Sequence, residues 1–515
     1  MKHIQRKTER RIAAALRLAL VAVLLLLQIA LVIALTQVLR QKMYIGYSVL
    51  EIIAVLCVVR IYMRSGSSTY KPGWIVLIML VPVVGLILYF LWNGNQVKKK
   101  LDLKPIPMPP ETEEVKRRSQ SAQENLSARW PRWGRLAAYL RRQDMPLFEN
   151  TDMTYFPTGE EYLEDLLERM KTARRFIFLE YYIASEGEIW DRICTVLTER
   201  AAAGVEVNLI LDDFGSMMTM PPEEISALRK RGVWVQMFNP VHRYVNRLYF
   251  NYRDHRKIAV IDGDIAYTGG ANLADEYANL IVRFGYWKDN ALRLRGEATW
   301  SLTVFFLTMW DHQNPHSDFR LFRPRQLPPL ETTGGIVIPY ADTPNADDTI
   351  GADLYLQMIS KAKRYLYLTT PYLAIDETIT SALCIAARTG VDVRIMTPHI
   401  PDKKGVFAVT QSNYPVLLEA GARIFEFTPG FVHTKTMVAD DLYASVGSCN
   451  LDYRSFYLQF ENGVWLCGDP AVLSVRDDFL QTMEVCQEIT LDDCRTLSFP
   501  RRIVQTVYRL FAPLF

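Results

Sequence analysis

The stretch Asp254-His255-Arg256-Lys257-Ile258-Ala259-Val260-Ile261-Asp262 decides how this chain is read, because its pattern returns as His433-Thr434-Lys435-Thr436-Met437-Val438-Ala439-Asp440. In a strand, residues two apart point to the same face. His255 and Lys257 therefore share a face, as do His433 and Lys435. The apolar residues that follow continue a buried strand, and Asp262 falls in an Asp-Gly-Asp turn at its end. The chain has 7 histidines. With Lys and Asp each about one residue in twenty, a given His carries both at these offsets roughly once in four hundred. Two chance matches are improbable.

The surrounding sequence repeats as well. A helical pattern at residues 161–170 runs into the apolar strand 176–182, and residues 355–359 lead likewise into Tyr365-Leu366-Tyr367-Leu368. Ala203-Gly204-Val205-Glu206-Val207 is matched by Thr389-Gly390-Val391-Asp392-Val393, and Arg231-Gly232-Val233-Trp234-Val235 by Ala420-Gly421-Ala422-Arg423-Ile424. Short β-branched runs alternating with helical patterns predict an α/β fold on a largely parallel sheet. Two halves with one motif each predict a pseudo-twofold pair that builds a single active site. The first half is expected over residues 151–330 and the second over 331–515.

The motif chemistry suits displacement at a phosphodiester. Lys257 and Lys435 would hold phosphoryl oxygens that gain charge. One neutral histidine attacks phosphorus, while the other, protonated, donates to the leaving alcohol. Histidine titrates near neutrality and serves both roles. Asp262 and Asp440 complete the catalytic set and either orient an imidazole or cap a turn. After each motif comes a small-residue turn with an asparagine, Thr268-Gly269-Gly270-Ala271-Asn272 and Gly447-Ser448-Cys449-Asn450. Gly270, Asn272, Ser448 and Asn450 are the candidate phosphate contacts there. Neither a metal nor another cofactor is expected. Asp311-His312 with His316 is read as a loop and not as half of a metal site. The 7 cysteines form no CxxC pair and read as reduced thiols.

The first hundred residues differ from the rest. Apolar runs cover about 18–38, 46–62 (with Glu51 and Arg60) and 74–92 (with Pro82 and Gly85). Basic residues flank them at Arg6, Lys7, Arg10 and Arg11 and at Lys98, Lys99 and Lys100. Residues 1–94 are therefore read as a transmembrane module, with two full crossings and a re-entrant second run, or with three crossings. Residues 95–150 read as a linker with Pro105-Ile106-Pro107-Met108-Pro109-Pro110 and then lead-in helices. The C-terminal Arg501-Arg502-Ile503-Val504-Gln505-Thr506-Val507-Tyr508-Arg509 is basic and amphipathic, suited to a bilayer surface or to packing. A net charge of +3 without a long basic stripe counts against a nucleic-acid partner.

These residues resemble the phospholipase D superfamily, and most closely its bacterial cardiolipin synthases, over nearly the whole chain. Tyr70-Lys71-Pro72-Gly73-Trp74 and residues 81–89 look like that family's N-terminal module. Glu180-Tyr181-Tyr182-Ile183, His255-Arg256-Lys257, Pro371-Tyr372 and residues 447–455 look like its catalytic blocks. The resemblance implies two phospholipase D-type α/β halves and transfer of a phosphatidyl group between two phosphatidylglycerol molecules through a phosphohistidine, with release of glycerol. It usually makes the first-half histidine, here His255, the nucleophile and His433 the acid/base. It implies phosphatidylglycerol and an anionic membrane as partners, and a multi-pass location in the bacterial plasma membrane with the catalytic part cytoplasmic. Glu180 and Glu461 join the substrate-binding candidates, and Tyr181, Tyr182 and Tyr372 are candidate liners of a lipid groove. Two departures stand out: Gln459 where the family usually has Asn, and no His near Trp287-Lys288-Asp289-Asn290-Ala291. Water or another head-group alcohol as acceptor remains an alternative.

Overall fold

The computed structural model describes residue 34 and residues 44–63, 70–92, 113–240, 252–312, 318–323, 334–344, 346 and 349–512. Apart from Ala34, the first apolar run lies outside these residues, as do both flanking basic clusters, the proline-rich stretch, His242 and His316.

The N-terminal unit comprises helices Tyr44–Met63, Tyr70–Leu80 and Pro82–Trp92. The sequence predicted one continuous apolar run over 74–92, but the chain breaks at Val81. Pro82 has no amide hydrogen to continue the ladder. Gly85 then approaches Ile78 so closely that a Cβ would sit 2.6 Å from the Ile78 Cα, so the two helices double back. At 1.5 Å per residue each 11-residue helix is about 16 Å long. Ala54, Cys57 and Ile61 pack against Trp74, Ile78, Leu86 and Tyr89, while Ile52, Leu56 and Phe90 stay exposed. Among the described residues no helix is long and apolar enough to cross a membrane, so the multi-pass expectation finds no support there.

The larger unit holds both halves. In the first, β1 (Thr151–Phe156), β2 (Phe176–Tyr181), β3 (Glu206–Asp212), β4 (Trp234–Phe238), β6 (Lys257–Ile261), β7 (Ile265–Gly269) and β9 (Ala291–Gly296) form a sheet in the order β1-β9-β7-β6-β2-β3-β4. In the second, β10 (Ile336–Asp342), β11 (Tyr365–Thr369), β13 (Asp392–Pro398), β14 (Arg423–Phe427), β16 (Thr436–Ala439), β17 (Tyr443–Gly447), β19 (Gln459–Cys467) and β20 (Cys486–Ile489) follow the order β10-β19-β17-β16-β11-β13-β14-β20. The expected largely parallel sheet is corrected. Within these two orders β2-β3-β4 and β11-β13-β14 run parallel, the motif strands β6 and β16 are antiparallel to both neighbours, and β12 (Leu373–Ala374) and β18 (Leu451–Asp452) form a separate parallel pair. The cause is local. Tight turns at Asp262-Gly263 (φ 56° and 77°) and Asp440-Asp441 (φ 60° and 59°) return each motif strand directly as a hairpin.

Each strand alternates between two cores. Ile177, Leu179 and Ala259 face outward to the first half's helices, as Leu366, Leu368 and Met437 do in the second. Phe178, Ile258 and Val260 face inward and share a core with Val438, Val446 and Val464. Between the sheets lies helix Thr299–Asp311, buried almost all round, with Phe306 stacked on Phe178 at 4.5 Å. The sequence reading did not single this helix out; an all-apolar helix has no polar stripe to mark it. The lead-in helices Glu113–Arg129 and Pro131–Arg142 are not a mere tether. Trp133 is fully buried against Tyr443 (4.4 Å) and Trp465 (5.2 Å) on the outer face of the second sheet. Replacing it empties a large void, so Trp133→Ala is expected to destabilise this unit by about 3–5 kcal/mol, read as a lower midpoint in thermal or chemical unfolding.

Candidate active site

The histidines are positioned by strands that cross between the halves. The two-residue strand β5 (Arg253–Asp254) leads into His255 and pairs with β19 of the second half, Arg253 with Gln459 and Asp254 with Phe460. The mirror arrangement uses β15 (Gly430–Val432), which leads into His433 and pairs with β8 (Tyr286–Lys288) of the first half. The His255 amide then donates to Phe460 O (2.9 Å) and the His433 amide to Lys288 O (2.7 Å). The next residue along each partner segment is an acid. His255 Nδ1 meets Glu461 Oε1 at 2.9 Å, and His433 Nδ1 meets Asp289 Oδ2 at 2.7 Å. Each half thus supplies the carboxylate for the other half's imidazole. With Nδ1 engaged, Nε2 is the ring nitrogen left for a substrate.

The small-residue turns make this approach possible. A Cβ on Gly270 would sit 2.1 Å from Asp289 Oδ1 and 3.0 Å from His433 O. Ser448, the equivalent residue, donates its hydroxyl to Glu461 and also bonds Asn462 O at 3.1 Å. Asn462 Nδ2 donates to Thr268 Oγ1 across the halves (2.8 Å).

Of the residues singled out from sequence, His255, Lys257, His433 and Lys435 come together. Lys257 Nζ donates to His255 O (2.6 Å); Lys435 Nζ lies 2.9 Å from His433 Nδ1 and also donates to His433 O. Asp262 and Asp440 are elsewhere, which corrects their place in the catalytic set. Asp262 accepts the amides of Arg174 (2.9 Å), Arg175 (2.7 Å) and Phe176 (3.0 Å). Asp440 does the same for Lys363, Arg364 and Tyr365. Each sits at the far end of its strand, so it holds the hairpin to the start of β2 or β11 and touches neither imidazole. Glu180 sits in a buried group with Arg256 (3.9 Å) and Asp254. Asn272 uses its amide on Ile183 N (3.1 Å) and Tyr277 OH (2.8 Å), whereas buried Asn450 keeps an Oδ1 without a hydrogen-bond partner among the described residues. Tyr181 is fully buried and bonded to Tyr162, so it lines no groove. Tyr182 does meet the His255 ring (5.0 Å), and His433 is walled by Tyr277, Trp287 and Phe431 at 5.4–5.8 Å. Tyr372 stands behind Phe431.

Asp289 was the residue missed. Its signal lay in the repeat: Asp289-Asn290 precedes the strand paired to Gly269 as Glu461-Asn462 precedes the residue paired to Gly447. The expectation of a histidine in this stretch hid it.

Burial dominates the electrostatics. It holds the His255 pKa well below the usual histidine range, helped by Lys257 and Lys435, and takes His433 to about 4. It lowers Lys257 to about 8 and Lys435 to about 7. It pushes Glu461 well above the usual carboxyl range. Burial also opposes ionisation of Asp289, but His433 and Lys435 outweigh it and hold that carboxyl below its usual value. Such a site can take up an anion with two ammonium groups, offer one neutral imidazole, and stabilise positive charge on the other. Among the described residues no His, Cys, Asp or Glu group is arranged to hold a metal ion.

The chain matches the family described as cardiolipin synthase, PLD-like domain, over residues 166–281 and 355–483, and the phospholipase D-nuclease N-terminal family over 52–93. It is 33% identical over 477 residues to a cardiolipin synthase of Halalkalibacterium halodurans, covering 91% of this chain and 94% of that one. The chain belongs to the cardiolipin synthase family. It is a phosphatidyltransferase of the phospholipase D type. It is also 38% identical over 445 residues to an uncharacterized protein of Streptococcus mutans, covering 86% of this chain and 95% of the relative. Phosphatidylserine synthase of Haemophilus influenzae shares the fold, with a TM-score of 0.58 at 15% identity over 77% of this chain and 97% of that one.

The exchanged carboxylates make a direct prediction. Asp289→Asn keeps the shape but loses the charge that steadies a protonated His433, so turnover is expected to fall about 10²–10⁴-fold in a steady-state assay. The lysines make another. kcat/KM reports the free enzyme and is expected to fall as pH rises through about 7 to 8, where Lys435 and Lys257 lose their protons. Lys435→Arg, with a guanidinium that stays protonated, is expected to move that alkaline limb to higher pH.

Proposed function

We propose that this phosphatidyltransferase is a cardiolipin synthase. It moves the phosphatidyl group of one phosphatidylglycerol to the terminal hydroxyl of a second and releases glycerol. The exchanged His–carboxylate pairs beside two buried lysines carry the reading. In the first step His255 Nε2 attacks phosphorus while Lys257 and Lys435 hold the phosphoryl oxygens. The P–O bond to glycerol breaks and His433 gives glycerol its proton. In the second step the hydroxyl of another phosphatidylglycerol loses its proton to His433 and attacks phosphorus. The P–N bond breaks, and cardiolipin forms. The anionic phosphate raises the proton affinity of His433, which Asp289 then supports in its charged form. His255 is favoured as nucleophile because Glu461, pushed toward its neutral form, does not hold that imidazole protonated. In this reading the enzyme works at the bacterial plasma membrane with its catalytic unit in the cytoplasm, and the exposed Ile52, Leu56 and Phe90 of the N-terminal unit meet lipid.

Purified enzyme with phosphatidylglycerol should yield cardiolipin and glycerol in equal amounts by mass spectrometry; phosphatidic acid or no product instead would overturn the acceptor assignment. A phosphatidyl substrate carrying p-nitrophenol as leaving group needs no acid for the first step. With that substrate labelled at phosphorus, His433→Ala should retain the label on the protein under alkaline denaturation and His255→Ala should not. Label on the His255→Ala chain would reverse the two roles.

A further inference from the structure

The final helix, Phe499–Phe511, packs the wrong way round for a soluble protein. Gln505 is buried, as is Ala512 just beyond the helix, and Tyr508 covers Gly405, so one edge faces helix Lys404–Ser412. At about 100° per residue, Phe499, Ile503, Val504 and Val507 occupy an arc of about 140° on the opposite side. All four are exposed, Phe499 by 75%. An amphipathic helix normally buries its apolar arc; this one presents it to the outside, with Arg502 and Arg509 along one flank, while Arg501 reaches Gln411 of the packed helix at 3.3 Å.

Two other exposed apolar clusters share its relation to the site. Phe214, Met217 and Met218 lie on the turn after β3. That turn is held to Tyr182, which meets the His255 ring: Ser216 Oγ bonds Tyr182 O at 3.2 Å. Leu280, Ile281 and Val282, the last 85% exposed, follow Tyr277, whose ring meets His433. Arg283 comes next, paired to Glu276 at 2.8 Å. The helix itself is linked through Gly405 to Lys403, which lies over the Tyr372 ring (4.9 Å), and Tyr372 donates to Asp402 (2.5 Å). Each apolar cluster is therefore anchored within a few residues of an aromatic beside a site histidine or behind its wall, and the second cluster and the helix also have exposed Arg or Lys alongside or within their anchors.

We propose that these three clusters form a collar that docks the catalytic unit on an anionic lipid bilayer, with the apolar side chains in the acyl boundary and Arg283, Lys403, Lys404, Arg502 and Arg509 at the head groups. The inference rests on the lipid-substrate reading above and extends it. A phospholipid can then bring its phosphate to the histidines while its chains stay in apolar surroundings. Charge complementarity favours lipid over a second protein, since the arginines flank the apolar arc as head-group partners would require.

The test uses the full chain reconstituted in vesicles of phosphatidylglycerol and phosphatidylcholine. Ile503→Glu with Val507→Glu, and separately Val282→Glu, should lower transfer on vesicle lipid about tenfold or more, since each buries a charge at the acyl boundary. Transfer on dihexanoyl phosphatidylglycerol dispersed as monomers should change less than about twofold, because no docking is then required. Ile385→Glu, at an exposed site near the C-terminus of helix Glu377–Arg388, should change neither. Equal losses on vesicles and monomers, or no loss on vesicles, would overturn the proposal. A second readout needs no activity. Val504→Trp should gain quenching by dibrominated phosphatidylglycerol relative to the parent chain, and Ile385→Trp should not. If Val504→Trp gains none and the charged variants convert an oligomer to a monomer, the face is a protein interface and lipid docking is wrong. If quenching is seen but phosphatidylglycerol is not turned over, docking stands and the proposed substrate falls.

Discussion

The catalytic unit depends on one exchange, in which each histidine takes its carboxylate from the opposite half. His255–Glu461 and His433–Asp289 are short, buried contacts, and a buried imidazole without a partner is costly. Neither half can complete its site alone. The exchange is not a side-chain accident laid over two finished domains. The backbone pairings β5–β19 and β8–β15 bring each acid into register with each histidine, so the main chain builds the site.

The rest of the fold serves that register. The hairpin turns at Asp262 and Asp440 aim the motif strands, and their carboxylates clamp the hairpins to neighbouring strands through three backbone amides apiece. The shared core around Phe178, Val260, Val438 and Val464 and the buried helix Thr299–Asp311 resist sliding of one sheet over the other. A slip of one residue would turn every side chain of a strand to the opposite face. At the interface it would move Glu461 or Asp289 away from its imidazole.

Pseudo-symmetry does not make the halves equivalent. Gly270 and Ser448 hold matching positions, but only Ser448 has a hydroxyl to donate, and it donates to Glu461. His433 and Lys435 hold the Asp289 carboxyl below its usual range against burial, while burial dominates at Glu461 and raises it. Asn272 is committed to Ile183 and Tyr277, whereas Asn450 Oδ1 is free of hydrogen bonds among the described residues. Two similar scaffolds thus set their imidazoles beside carboxyls whose proton affinities are shifted in opposite directions.

The repeat, the α/β character and the four residues His255, Lys257, His433 and Lys435 were legible in the sequence, because a two-residue offset in a strand is a local rule and recurs when the strand recurs. Glu461 stood in a block whose pattern marked it. Asp289 did not, since its importance comes from a histidine far along the chain. Asp262 and Asp440 show the converse: their spacing is part of the motif, yet seven residues of extended chain carry them to the other end of the strand. The antiparallel setting of the motif strands and the break at Val81 have local causes, the hairpin turns and Pro82, whereas the burial of the Thr299–Asp311 helix depended on contacts with both sheets. By itself the sequence determined which chemical groups are present and on which strand faces they stand, because those follow from local periodicity. Only the tertiary structure decided which carboxylate serves which imidazole, because that pairing is made by strands exchanged between the halves.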